Sequence, residues 1–155
     1  MSDKIKDIIV GSFRFLVKEK RTRIYGFVIM PNHIHLLWTI REPHRPSNVK
    51  RDFLKFTSQQ IIEQLKRNND QDWLKQLEVN ASDRRHQVWE RNPLAIEAYT
   101  EEVIMQKLEY IHNNPTKEKW RLSKTPEDYV YSSARFYYLG DKKWEFLTHI
   151  RDESE

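Results

Sequence analysis

Cysteine is absent from the 155 residues, which excludes disulfides, Cys-ligated zinc and thiol catalysis and fits a reducing cytoplasm. No apolar run approaches the roughly 20 residues needed to cross a bilayer. The start, Met1-Ser2-Asp3-Lys4-Ile5-Lys6, lacks the apolar core of a signal peptide, so a soluble, cytoplasmic protein without a membrane partner is expected. Glycine occurs three times and proline six times, never clustered as a linker requires, and no internal repeat or low-complexity block interrupts the chain. A single domain spanning residues 1–155 is the expectation, large enough to bury a core. Lys and Arg number 27 against 23 acids, a net charge of +4. That mild excess suits a polyanionic partner without specifying one.

What the chain does have is Tyr25-Gly26-Phe27-Val28-Ile29-Met30-Pro31-Asn32-His33-Ile34-His35-Leu36-Leu37-Trp38. β-branched and aromatic residues flank a Pro-Asn pair suited to a tight turn, so the stretch predicts two strands joined at Pro31-Asn32. His33 and His35 stand two apart, and the pleat of a strand sends both imidazoles to one face while Ile34 and Leu36 take the other. Two imidazoles on one face can grip a metal ion. Most such pairs carry no ligand, however, and the pair alone stops short of a metal site.

Before the hairpin, Ile5, Ile8, Ile9, Phe13, Leu16 and Val17 recur at helical spacing and predict an amphipathic helix from Asp3 to about Lys20, lying over one face of the sheet. After it, Arg41 to Pro46 reads as a loop. A second helix is expected from Ser47 to about Lys66, with Val49, Phe53, Phe56, Ile61 and Leu65 on one stripe. Lys50, Arg51 and Lys55 then face outward, as a solvated surface or as contacts to phosphate. Trp73, Leu74 and Leu77 suggest a short helix, Asn80 to His86 reads as a mobile polar run, and Gln87 to Arg91 and Leu94 to Tyr99 read as two further strands. A third long helix is predicted from the N-cap Thr100, with Ile104, Leu108 and Ile111 facing the core and an end before Pro115. Tyr110 and Asn114, four apart, fall on one flank of it.

Three stretches in this order, Val28-Ile29-Met30-Pro31-Asn32-His33-Ile34-His35-Leu36-Leu37, Leu108-Glu109-Tyr110-Ile111-His112-Asn113-Asn114-Pro115, and Pro126-Glu127-Asp128-Tyr129 with Ser132-Ser133-Ala134, resemble the REP-associated branch of the HUH single-tyrosine transposases. The resemblance runs from about Asp7 to Tyr138. It implies an α+β fold, a ferredoxin-like α/β sandwich with a central antiparallel sheet. Tyr110 then matches the nucleophile, His33 and His35 match two metal ligands, and Asn114 matches the third. The implied reaction is metal-dependent nicking and strand transfer of single-stranded DNA through a 5′-phosphotyrosine intermediate at hairpin DNA. Family members usually open with one more strand before the first helix. Its lack here implies a sheet completed by rearrangement or by a partner chain, or else a catalytically decayed protein that binds hairpin DNA without cutting it.

The residue types suit this chemistry. Transesterification of a phosphodiester needs an oxygen nucleophile, a Lewis acid on the scissile phosphate and a leaving 3′ hydroxyl kept for rejoining. A phenol is mostly protonated at neutral pH, so a metal or base must assist it. Two imidazoles and an amide oxygen are neutral ligands that leave a divalent cation its full charge, which favours Mg²⁺ or Mn²⁺ over a closed structural zinc. Each residue has a plainer reading: Tyr110 as a helix-edge aromatic, Asn114 as a helix-ending residue, His112 as incidental, and the later tyrosines as core or rim. Lys50 and Arg51 are the candidate DNA-phosphate contacts. Both a monomer and a homodimer are compatible with the spacing. A histidine-triad type of nucleotide hydrolase would need a third alternating histidine, and that position is Leu37.

Overall fold

A computed structural model describes residues 1–90 and 100–153. The first helix, α1 (Asp3–Lys18), buries Ile5, Ile9, Phe13 and Leu16 along one side, with Asp3 in its first turn and Lys18 in its last, where each suits the helix dipole. It stops short of Lys20 because that residue takes φ 54°, and the N–H of Arg21 turns back to donate to the C=O of Leu16 at 2.9 Å.

Strands β1 (Thr22–Ile29) and β2 (Ile34–Ile40) form the expected antiparallel hairpin, paired from Thr22 opposite Ile40 to Ile29 opposite Ile34. The Met30 N–H donates to the C=O of His33 at 2.8 Å and closes the loop around Pro31-Asn32. Ile24 pairs with Trp38 and Gly26 with Leu37, so Tyr25 is one extra residue. Such a bulge inverts the alternation of faces. As a result Ile24, Phe27 and Ile29 enter the core on one side, while Tyr25, Val28 and Met30 enter the core on the other.

The first core is closed by α1 and by α2 (Pro46–Arg67), the second by α4 (Glu101–Asn113); the short α3 (Gln71–Gln76) follows α2, and α5 (Ala134–Leu139) lies in the tail. Thr100 caps α4 as expected, accepting the Val103 N–H at 3.3 Å. Gly26 is what lets α4 come close, since a Cβ there would overlap Leu108 Cδ2 and stand 3.3 Å from Ser133 Oγ. The same contact line carries a buried polar knot. His112 Nε2 and Ser133 Oγ lie 2.8 Å apart, and Ser133 Oγ accepts the N–H of Phe27 at 3.0 Å.

The tail also finishes the sheet. On the edge of β1 away from β2, Ile29 N–H donates to Tyr131 C=O at 2.9 Å, Ser133 N–H to Phe27 C=O at 3.0 Å, and Thr148 N–H to Ile24 C=O at 2.9 Å. The opposite edge, that of β2, carries no strand among the described residues. The mixed arrangement around an antiparallel sheet is the α+β class expected, with two strands in that sheet among the described residues.

Three expectations change. Phe56 is 51 % exposed and Thr57 is buried in its place, because the stripe of α2 advances by four residues from Val49 through Phe53 to Ile61 and Leu65. Gln87 to Glu90 is not a strand. Trp89 is drawn onto α2, its ring stacked on Phe53 at 6.4 Å and its Nε1–H donating to Thr57 Oγ1 at 2.9 Å. The polar run before it is folded back, with Val79 N–H bonded to Arg85 C=O and Gln87 N–H to Leu77 C=O. The strand expected at Leu94 to Tyr99 lies outside the described residues. No helix among the described residues is long and apolar enough to cross a membrane.

Candidate functional site

The face of β2 turned toward α4 carries the two histidines. Ile34, Leu36 and Trp38 pack on the α1/α2 side while Leu37 packs on the α4 side, so alternation puts His33 and His35 with α4, as the sequence predicts. Their ring centroids lie 5.0 Å apart at 82°. The His35 ring meets the edge of the Tyr110 ring at 5.4 Å and 83°. Tyr110 is 50 % exposed, so a substrate can reach it.

Both imidazoles are held neutral. Burial, then the charges of Lys119 and Lys117, keeps His33 below the ordinary imidazole value. Burial, then His33 and Lys117, brings His35 down to about 4. Asn32 fixes the tautomer of His33: its Oδ1 lies 2.7 Å from Nδ1, and an amide oxygen only accepts, so Nδ1 carries the proton and the Nε2 lone pair is left over. A neutral imidazole with a lone pair and an oriented second nitrogen is what a metal ligand requires.

Asn114, the third expected ligand, opens the turn Asn114–Thr116 just past α4 and is 2 % exposed. Among the described residues, no group of three His, Cys, Asp or Glu side chains could hold a metal ion. A donor set of two imidazoles and one amide fits a divalent cation that keeps open positions for phosphate oxygens.

Sequence reasoning missed three neighbours. Lys117 Nζ sits over the Tyr110 ring, 3.6 Å from its centroid; Trp120 packs against His33 at 5.3 Å; and Lys119 Nζ lies 5.1 Å from the Trp120 ring. All three follow Pro115, where helical periodicity ends. The chain folds back there because Trp120 and Arg121 N–H both donate to the Lys117 C=O, at 2.8 and 2.9 Å. The available signal was the cluster of Lys117, Lys119 and Trp120 within five residues of that proline.

Three later tyrosines are tied elsewhere, while Tyr138 packs its ring against His112 and is 50 % exposed. Tyr129 donates its hydroxyl to Ile29 C=O at 2.8 Å, Tyr137 to Tyr25 C=O at 2.8 Å, and Tyr131 to Asp7 at 2.9 Å; burial pushes Tyr137 up to about 12. His112 is 2 % exposed within its knot, and burial brings it down to about 4. Lys50 and Arg51 lie early in α2, on the helix that closes the opposite face of the sheet, and Arg51 is paired with Asp52 at 2.9 Å.

A histidine pair, a reachable phenol and two lysines around it form a centre suited to an anionic ester of phosphate. No curated protein and no solved structure matches the chain. The family model described as "Transposase IS200 like" matches residues 1–114, which takes in α1, the hairpin with both histidines, and the whole of α4 with Tyr110 and Asn114. The chain belongs to the IS200-like transposases, a family of DNA-binding proteins of transposition.

Proposed function

We propose that the protein nicks single-stranded DNA beside a hairpin and transfers the cut strand through a 5′-phosphotyrosine intermediate, as a member of the REP-associated branch. The observation that carries this reading is the contact of Tyr110 with His35 at 5.4 Å, with His33 a further 5.0 Å along. Tyr110 Oη attacks phosphorus, the bond to the 3′ oxygen breaks, and that oxygen gains a proton as the phenol loses one to solvent. One phosphate ester replaces another, so the step needs no nucleotide triphosphate. The reverse attack by a second 3′ hydroxyl rejoins the strand.

His33, His35 and Asn114 would hold Mg²⁺ or Mn²⁺, which when bound supplies Lewis-acid polarisation of the scissile phosphate. Lys117, beside the phenol ring, attracts the phosphate and stabilises negative charge as it develops. Lys119 adds to the same field. With cations around neutral ligands, the counter-charge for the metal comes from the DNA itself.

The test is a denaturing gel of end-labelled hairpin DNA incubated with the protein and Mn²⁺. A labelled band retarded by covalent protein is expected; free DNA alone refutes cleavage. A second reading, hairpin binding without cleavage, draws support from the edge of β2, which carries no strand among the described residues, and it predicts a shifted complex under native conditions with no covalent band. Asn32→Ala provides a finer check. Loss of a partner that orients a metal-binding histidine typically weakens metal affinity about 10–100-fold, so a Mn²⁺ titration followed by electron paramagnetic resonance should show a weakening of that order, and an unchanged titration removes Asn32 from the site.

A further inference from the structure

At the end of the hairpin remote from the histidines, a cavity of about 330 Å³ is lined by Arg21, His44, Arg45, Asn48, Arg51 and Asp52 among others. Three arginines are among its lining residues. Arg51 is balanced by Asp52, whereas neither Arg21 nor Arg45 has a carboxylate partner among the described residues. Arg21 lies over the Phe15 ring at 5.6 Å, and its backbone C=O is fixed by the N–H of Arg41 at 2.9 Å. The C=O of Arg45 accepts the N–H of Asn48 and Val49 at 3.0 and 3.1 Å, and the first turn of α2 holds no acid. The main chain of two arginines is thus fixed at a polar hollow whose lining carries more positive than negative charge, the chemistry that takes a phosphate group.

We infer that this cavity is a second DNA-phosphate site that anchors the substrate's backbone away from the cleavage point. The inference rests on the proposed action at DNA and names a part of that substrate. Arg21 precedes the first ladder pair and His33 adjoins the last. At about 3.3 Å per residue the ladder alone separates the two sites by roughly 20–25 Å along the strands. With a rise of about 3.4 Å per base pair, DNA engaging both must extend at least six or seven base pairs beyond the scissile phosphate. The other chemistry that fits the hollow is a free phosphate ion, and the two sources separate by experiment.

The readout is binding, with the Tyr110→Phe protein, so that it stands whether or not the protein cleaves. Fluorescence anisotropy would follow a labelled hairpin with a stem of about ten base pairs, and a trimmed one of about four, between 50 and 200 mM salt. Each lost backbone contact removes about 0.9 from the log–log salt slope. The double variant Arg21→Gln/Arg45→Gln should therefore have a slope shallower by about 1.8 on the long hairpin, so that the parent loses roughly tenfold more affinity than the variant across that range. On the trimmed hairpin the two proteins should behave alike. Arg67→Gln, at the other end of α2 and paired with Glu63, should match the parent, and melting curves verify folding. An unchanged slope on the long hairpin overturns the inference, as does a double variant that loses inorganic phosphate binding by calorimetry while holding DNA normally. Failure of cleavage alone would show in the gel assay and leave these slopes untouched.

Discussion

Tyr110→Phe should form no covalent protein–DNA band at all while binding the hairpin as the parent does. The substitution removes one oxygen and keeps the ring that meets His35 and Lys117, and at a half-exposed position it should change stability by less than about 0.5 kcal/mol. No other phenol is in ring contact with His33 or His35 among the described residues. Among the described residues the hydroxyls of Tyr129, Tyr131 and Tyr137 are bonded elsewhere. The denaturing gel with Mn²⁺ reads the result directly, with a native gel on the same samples to verify binding. An undiminished covalent band in this variant would remove Tyr110 from the nucleophile's role.

Phe13→Ala should be the most damaging single change in the fold. Phe13 is fully buried and meets Phe27 at 5.5 Å, Phe53 at 5.6 Å and Phe146 at 6.0 Å, so one ring joins α1, β1, α2 and the tail. Emptying such a position costs about 3–5 kcal/mol through lost burial and the cavity left behind. Domains of this size shift by about 2–4 °C per kcal/mol, which predicts a fall in Tm of about 6–20 °C by circular dichroism. A fall below about 2 °C would mean that the four elements are not held through this ring.

Most of the site was legible because its signals are local. The Pro-Asn turn with alternating histidines, and the Thr100 cap with its spaced apolar residues, follow from backbone rules acting over a few residues. Phe56 was misplaced because a local stripe admits either a phenylalanine or the neighbouring Thr57, and the choice is made by Trp89 reaching across from another segment. Gln87 to Glu90 alternates like a strand, but the same indole bond pulls it onto a helix. Lys117, Lys119 and Trp120 were hidden by the reversal after Pro115, where no periodicity carries a position forward. The extra residue at Tyr25 was equally silent, although it decides which core Phe27 enters.

The family match ends at residue 114, yet the partners that satisfy the far edge of β1 are Tyr131, Ser133 and Thr148, and the knot on His112 needs Ser133. The border drawn by kinship and the border drawn by hydrogen bonding therefore fall in different places. A fragment cut at the first would leave amides of the strand beside the histidine hairpin bare and would strip a buried imidazole of its companion. The smallest folding unit is longer than the smallest recognisable one.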